Sequence, residues 1–379
     1  MTDQPAVPPT LPRYGEAALA DLASSLLASL GLDEPNPLYL LPAARACLLI
    51  VDGLGWELLR DHPAAAPFLS ELATTTGRPL TAGFPATTVT SLGSLGTGRS
   101  PGQHGMLGYQ VAVPGQRRLL NALRWDRKVD PVAWQPGSTI FERAVKAGVA
   151  AFRVAPGAFR GTGLSVAVMR GAEYRVADSL GALVAQSAAA LKESDRALVM
   201  TYYGKLDSTG HSCGCTSDAW RYQLGHVDKL AEQLASALSP GTVLHITADH
   251  GMTDVPFDDR VDVDATPGLR NGVALLGGEP RARHVYCEPG AEQDVLAAWS
   301  DILGDRAWVA SREQAVAEGW FGPVDPRVAE RIGDVVAAPV GPFAVVATQA
   351  EPRESALLGM HGSLTQADQL VPLLSMTIG

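Results

Sequence analysis

Positive charge, cysteine and long apolar runs are all scarce in this sequence, and each scarcity removes a class of function. Thirty Lys and Arg stand against forty Asp and Glu, for a formal net charge of -10. A nucleic-acid polymer is therefore not an expected partner, because binding one depends on neutralising many phosphates with basic side chains. Four cysteines in 379 residues, Cys47, Cys213, Cys215 and Cys287, do not build the disulfide framework of a small secreted domain. No stretch is long and apolar enough to span a bilayer, so no membrane contact is expected. The first residues, MTDQPAVPPTLPRYGE, are rich in proline and carry an acid where a secretory leader has a basic segment and an apolar run. No leader is expected, and the cytoplasm is the expected location. A small phosphorylated ligand remains compatible with the acidic balance, since bound cations dominate the local field whatever the net charge. Oligomeric state is not legible.

What is present is apolar material for one large core with an inserted lobe: 46% of residues are hydrophobic and 18% charged. Residues 16–30 read as a helix, with Leu19, Leu22, Leu26, Leu27 and Leu30 on one face and Gly31 as its stop. Three short continuous apolar runs follow the pattern of strands buried on both faces. They are Ala46–Val51, Ala197–Tyr203 and Val243–Thr247, and each is followed by acid: Asp52, Asp207 and Asp249-His250. Helical patterns lie between them. Thr139-Ile-Phe-Glu142 has capping-box spacing and opens a helix ending near Gly148. Trp220, Leu224, Val227, Leu230, Leu234 and Leu238 mark the buried stripe of another. The alternation predicts an α/β fold with a largely parallel sheet and helices on both faces. Ligands of such folds gather beyond the carboxyl ends of the strands, where all three acids fall.

The expected division is an N-terminal helix and linker over 1–45, a catalytic core over 46–252, an α/β insertion or cap over 253–350 and a C-terminal core segment over 351–379. Within the cap, His284–Cys287 reads as a strand, Glu292–Leu303 as a helix and Asp334–Ala338 as a further apolar stretch.

Asp207-Ser-Thr-Gly-His211 places an Asp and a His four apart on an expected strand-to-loop turn, where both can face one cation. Asp249-His250, Asp52 and the late His361 add three more ligand side chains of the kinds that hold Zn²⁺ and other transition metals. Singly, each has an ordinary explanation as a turn, cap or packing residue; together at strand ends they do not. The segment Phe84-Pro-Ala-Thr-Thr88-Val-Thr-Ser91, followed by a run of small residues to Gly98, places Thr88 near the N-terminus of a tightly packed helix. Free backbone N–H groups there favour a phosphate, and a metal would activate a threonine hydroxyl that is otherwise a poor nucleophile.

These motifs, in the order LLIVDGLG, the Thr segment ending in TG with His104-Gly105 after it, DSTGH, TADHGM and a final HG, resemble the type I phosphodiesterase / nucleotide pyrophosphatase family of the alkaline phosphatase superfamily. The resemblance runs from about Leu48 to about Ser363. It implies an alkaline-phosphatase-like three-layer sandwich with a small inserted cap. It also implies one metal held by Asp207, His211 and His361, and a second held by Asp52, Asp249 and His250 with the Thr88 oxygen. In the superfamily the nucleophile lies ten residues before the Gly of the TG pair, which from Gly98 gives Thr88; Thr87 and Thr90 are the neighbouring alternatives. Two cations roughly 4 Å apart would clamp an in-line displacement through a phospho-threonine intermediate. Zn²⁺ is the expected metal, with Mn²⁺ or iron as alternatives.

The resemblance favours a phosphodiester or nucleotide substrate. Nucleotide pyrophosphatases usually carry Asn shortly after the Thr; this chain has Ser91 there, a shorter donor and a candidate substrate contact. A phosphomonoesterase or phosphonate hydrolase on the same site is the alternative within enzymes, and an inactive binder of phosphorylated ligands the alternative outside them. A sulfatase on the same fold is the runner-up; it needs a Cys or Ser in a C/S-x-P-x-R context, and no Cys here stands in one. Cys213-Gly-Cys215 is read as loop, His104 as structural, and Arg99, Arg124, Lys205, Tyr109 and Trp125 as unassigned.

Overall fold

The computed structural model describes residues 5–379. Eleven strands build the two larger sheets. They are β1 (Arg45–Val51), β2 (Arg78–Thr81), β3 (Ala150–Ala155), β4 (Glu173–Val176), β5 (Ala197–Tyr203), β6 (Thr242–Thr247), β7 (Val273–Glu279), β8 (Ala282–Cys287), β9 (Ala307–Ser311), β10 (Val335–Pro339) and β11 (Leu370–Thr377). The main sheet has seven strands in the order β2-β11-β6-β1-β5-β3-β4. Only β11 runs against the others, pairing antiparallel with both β2 and β6. At the centre, Ile50 of β1 lies beside Tyr202 of β5 and Thr247 of β6. That register brings the ends of the three central strands level, with Asp52 just beyond one of them.

Helices α1 (Leu19–Ser29), α2 (Thr88–Thr97) and α3 (Ile140–Lys146) pack together, and α4 (Leu180–Lys192), α5 (Lys205–Cys213) and α6 (Asp218–Ala237) form a second group. The sheet lies between the two groups as the middle of three layers, so residues Ala46 to Val51 of β1 are buried throughout. The two anticipated sequence signals act locally. Thr139 accepts from the Glu142 N–H at 3.1 Å while the Glu142 carboxylate accepts from the Thr139 N–H at 2.9 Å. The stripe from Trp220 to Leu234 is the buried face of α6.

The second sheet is antiparallel, in the order β7-β8-β10-β9, and α7 (Glu292–Leu303) covers it through Val295, Trp299 and Leu303. The hairpin joining β7 to β8 reaches the main core. Arg281 makes a bidentate pair with Asp368, Nε to Oδ1 at 3.0 Å and Nη2 to Oδ2 at 2.6 Å, and both side chains are fully buried. Such a pair fixes where the hairpin sits more than it adds stability, because burying both charges offsets most of their attraction.

Helix α2 explains its own composition. At Gly96 an added Cβ would lie 1.9 Å from the Val168 carbonyl oxygen, so only glycine lets the two backbones approach. Gly96→Ala is expected to lower unfolding free energy by about 1–3 kcal/mol. A urea titration reads this directly, and an unchanged midpoint would show that the contact relaxes freely.

Candidate metal and phosphoester site

Two groups of ligand-type side chains meet beyond the carboxyl ends of β1, β5 and β6. Asp207, His211 and His361 form one, Asp52, Asp249 and His250 the other, and within each the ligand atoms all lie within 4.8 Å of one another. The groups touch: the rings of His250 and His361 stack with centroids 3.6 Å apart. Asp52 follows β1 directly and Asp249-His250 follow β6 after one residue. Asp207 and His211 differ from the expected turn, since they lie one turn apart on helix α5. The i, i+4 spacing serves the same end there, because it stacks both side chains on one face. Gly53, at φ +76°, follows Asp52 because a Cβ would meet the Asp207 backbone at 3.1 Å.

The hydrogen bonding decides what the site can hold. All three histidines use Nδ1 on a backbone carbonyl: His211 on Gly359 at 2.7 Å, His250 on Gly251 at 2.9 Å and His361 on Ala86 at 3.0 Å. A carbonyl only accepts, so a proton is on Nδ1, and each ring presents its Nε2 lone pair to the site once that nitrogen is deprotonated. Opposite stand carboxylate oxygens. His250 Nε2 is 3.2 Å from Asp52 Oδ1 and 3.7 Å from Asp249 Oδ2, and His211 Nε2 is 3.3 Å from Asp207 Oδ1. Those three oxygens are buried and have no hydrogen-bond partner. Lone pairs facing orphaned carboxylate oxygens are a donor set for cations, and the mixture of imidazole and carboxylate suits Zn²⁺ or a similar metal.

The protonation balance agrees. Burial, reinforced by Asp52, pushes Asp249 up to about 7, and burial raises Asp207 as well. For His250 burial acts downward, but the charges of Asp249 and Asp52 hold it well above its ordinary value. His361 is held well below its ordinary value by burial and by the two neighbouring imidazoles.

Thr88 is the first residue of α2 and is half-buried, with Oγ1 3.2 Å from His250 Nε2. Thr87 occupies the N-cap position but does not cap the helix; its hydroxyl donates instead to Glu279 Oε2 at 2.9 Å. The helix end is thereby left open towards a cavity of about 460 Å³ that Thr88, Asp52, Asp207, His211 and His361 line. Thr90 is fully buried. Ser91 is corrected by the structure: it is fully buried, does not line the cavity, and gives its hydroxyl to the Asp249 carbonyl at 2.5 Å. It steadies the Asp249-His250 turn from beneath and does not face a ligand.

Other residues fall outside the site. His104 accepts from the Met106 N–H on Nδ1 at 3.0 Å and meets Ser94 through Nε2 at 3.2 Å, and burial pulls it down to about 3; it is a packing residue. Cys215 binds Asp254 through its N–H at 2.6 Å, and Cys213 is exposed. Arg99, Arg124, Lys205 and Trp125 do not line the cavity. Tyr109 does, and its hydroxyl donates to Glu354 at 2.9 Å.

Three lining residues carried no sequence signal. Tyr202, the sixth residue of β5, donates its hydroxyl to Asp52 Oδ2. Burial first, then Asp52 and Asp249, hold that phenol far above its ordinary value, so it stays a donor. Glu279 ends β7 and is pushed up to about 7 by burial. Arg153 lies on β3.

Comparison with known proteins places this geometry. Residues 46–364 match the family model described as type I phosphodiesterase / nucleotide pyrophosphatase. Among solved structures the chain is similar to murine ectonucleotide pyrophosphatase / phosphodiesterase 5, at 18% identity over 87% of each chain with a TM-score of 0.70. The human protein of that name gives 20% identity over 87% of each chain and a TM-score of 0.68. An inactive variant of the murine protein in complex with AMP gives 18%, again over 87% of each chain, with a TM-score of 0.69. No curated protein matches the sequence.

Proposed function

The chain belongs to the type I phosphodiesterase / nucleotide pyrophosphatase family, and from that premise we propose that it hydrolyses phosphodiesters or nucleotide pyrophosphates through a covalent phospho-threonine at Thr88. Phosphodiester hydrolysis is the activity of the family, whose members depend on metal; the nucleophile, the individual ligands and the metal identity are our reading. The observation that carries it is the set of three imidazole Nε2 atoms aimed at three unpartnered carboxylate oxygens beside the Thr88 hydroxyl.

Asp207, His211 and His361 would hold one divalent cation, and Asp52, Asp249 and His250 a second together with Thr88 Oγ1. Zn²⁺ is the expected metal and Mn²⁺ the alternative. When bound, the pair would polarise the phosphoryl group and favour the charge developing on the attacking and leaving oxygens. The chain's own contribution is placement. Thr88 points its hydroxyl at the ligand groups, and the open N-terminus of α2 offers backbone N–H groups to the non-bridging phosphate oxygens. Tyr202 and the Gly53 N–H, 3.1 Å from Asp249 Oδ1, orient the two carboxylates. Attack by the Thr88 oxygen on phosphorus expels the leaving alcohol or phosphate, and water then cleaves the Thr–O–P ester.

Much of the remaining wall is apolar, with Leu92, Leu123, Phe159, Leu164 and Leu357 set among polar residues that include Tyr109 and Arg153. It suits an organic group on the phosphate, which a diester always carries. This, with the AMP complex of a similar structure, is why a nucleotide is the preferred small-molecule substrate. Parallel assay of a p-nitrophenyl monoester, diester and phosphonate ester with added Zn²⁺ or Mn²⁺ tests the reading. The diester is expected to have the highest kcat/KM. A faster monoester would assign a phosphomonoesterase, and a faster phosphonate ester a phosphonate hydrolase.

A further inference from the structure

Arg153 is a buried cation that no acidic group neutralises among the described residues. Its side chain lies at the inner wall of the active-site cavity and is 5% exposed. Neither Nε nor Nη1 has a hydrogen-bond partner. The other deeply buried arginines are engaged: Arg281 pairs with Asp368, Arg283 with Glu351, and Arg331 bonds two backbone carbonyls. The polar neighbours that bear on Arg153 are the phenols of Tyr174 and Tyr202, which burial keeps protonated and neutral, and burial disfavours the charge of Arg153 itself. A guanidinium has five donors and no acceptor and keeps its proton in proteins. An interior position with donors unmet is costly unless something else satisfies them.

Its place in the sheet says where that something would be. Arg153 pairs with Met200 across β3 and β5, so it shares a face with Met200 and with Tyr202 two residues on. Tyr202 in turn donates to Asp52. Arg153 therefore stands two strands from the Asp52 group, with β5 between, on the same face and beside the cavity that Thr88 enters. None of the ligand carboxylates is within ion-pair distance of it among the described residues.

We propose that Arg153 binds a second oxyanion of the substrate, a carboxylate or a further phosphate covalently linked to the phosphoester held by the ligand side chains and Thr88. The inference rests on the hydrolase reading and deepens it by assigning substrate class: the preferred substrate carries two anionic groups. A planar guanidinium fits either oxyanion in bidentate fashion, with geometry that an ammonium cannot reproduce. The exposed Arg353 at the rim adds attraction at the mouth, while selection occurs inside, where solvent no longer screens the pair.

Three chromogenic diesters differing in one tail test this: ethyl, 2-carboxyethyl and 2-phosphonoethyl p-nitrophenyl phosphate. Turnover of the ethyl ester by the native enzyme tests the hydrolase reading by itself. The native enzyme is expected to favour at least one charged tail over ethyl by about ten- to a hundred-fold in kcat/KM, the range of a charge-assisted hydrogen-bond pair. The tail that is favoured identifies the oxyanion. Arg153→Met is expected to abolish that preference, and Arg153→Lys to keep part of it. Calorimetric titration of the metal-loaded protein should agree, with inorganic pyrophosphate losing affinity in Arg153→Met by a larger factor than methylphosphonate. Urea midpoints establish that the variants are folded; if Arg153→Met is not, the comparison rests on Arg153→Lys. Equal preference for the three tails by the native enzyme, or an equal loss on all three in the variants, would overturn the proposal and leave Arg153 as a structural residue or a ligand of the ester phosphate.

Discussion

Thr88→Ala is expected to reduce turnover by on the order of 10⁴–10⁶, the loss seen when a covalent nucleophile is removed from a site otherwise intact. Two features make this the largest single-residue effect to expect. Thr88 Oγ1 lies 3.2 Å from His250 Nε2, so it is the hydroxyl that shares the ligand groups' space. Its competitors are committed elsewhere, Thr87 to Glu279 and Ser91 to the Asp249 carbonyl, and Thr90 is buried away from the cavity. Removing one oxygen from a half-exposed first-turn residue costs little stability, and the six proposed ligand side chains are untouched. The variant should therefore bind the same amount of metal and unfold at nearly the same urea concentration. Thr88→Ser, which keeps the oxygen, should recover a measurable part of the rate. Wild-type turnover in the alanine variant would remove the nucleophile from Thr88. Loss of metal together with turnover would make Thr88 a ligand first, with its role in attack unproven.

The two groups of acids and histidines were legible because their members stand at changes of pattern. Asp52 and Asp249 follow apolar runs that can only be buried strands, and a polar residue at such an end must face the crevice beyond the sheet. Asp207 and His211 are legible by their spacing, which fits a turn as well as the helix that the structure shows. A tight Gly-containing segment after a strand reads alike in both conformations, and it is helical here because α5 packs against α6. Tyr202, Glu279 and Arg153 were not legible. Tyr202 and Arg153 sit inside apolar strands, where a Tyr or Arg reads as one more residue of the pleat; only the register of β3 against β5 brings them to one face. Glu279 belongs to a hairpin of the second sheet, brought to Thr87 across 192 residues of chain. The same limit applies to β11. Its entry between β2 and β6, antiparallel in an otherwise parallel sheet, is a pairing between distant segments that local pattern does not encode. Ser91 shows the opposite limit. Its offset from Thr88 was informative, but one turn of helix points it under the site and not into it.

Removing the metals should abolish activity and, less obviously, reverse the usual benefit of raising the pH. In the metal-free protein burial lifts both Asp249 and Glu279 to about 7, reinforced at Asp249 by the charge of Asp52. A folded-state value above the unfolded one means that the native state binds more protons between the two, so stability falls as pH rises through that interval. His250, held well above its ordinary value by Asp249 and Asp52, acts in the same direction: its contribution is complete below the unfolded value and is lost as the ring deprotonates. The depressed histidines, among them His361, His245 and His284, act oppositely, but only as pH drops below about 6.5, the unfolded value. The window from about pH 6.5 to 8 therefore isolates the acids. Chelated protein is expected to melt several degrees lower at the top of that window than at the bottom, on the order of 2–4 °C for each kcal/mol lost in a chain longer than 150 residues. Adding Zn²⁺ should raise the melting temperature most at the high-pH end, because a cation takes the place of the protons lost there and binds deprotonated ligands best. Calorimetry of the chelated and reloaded protein at three pH values measures both slopes. A chelated protein whose melting temperature rises across the window would mean that these carboxylates are already neutralised by protein groups, which would remove the strongest reason for placing cations among them.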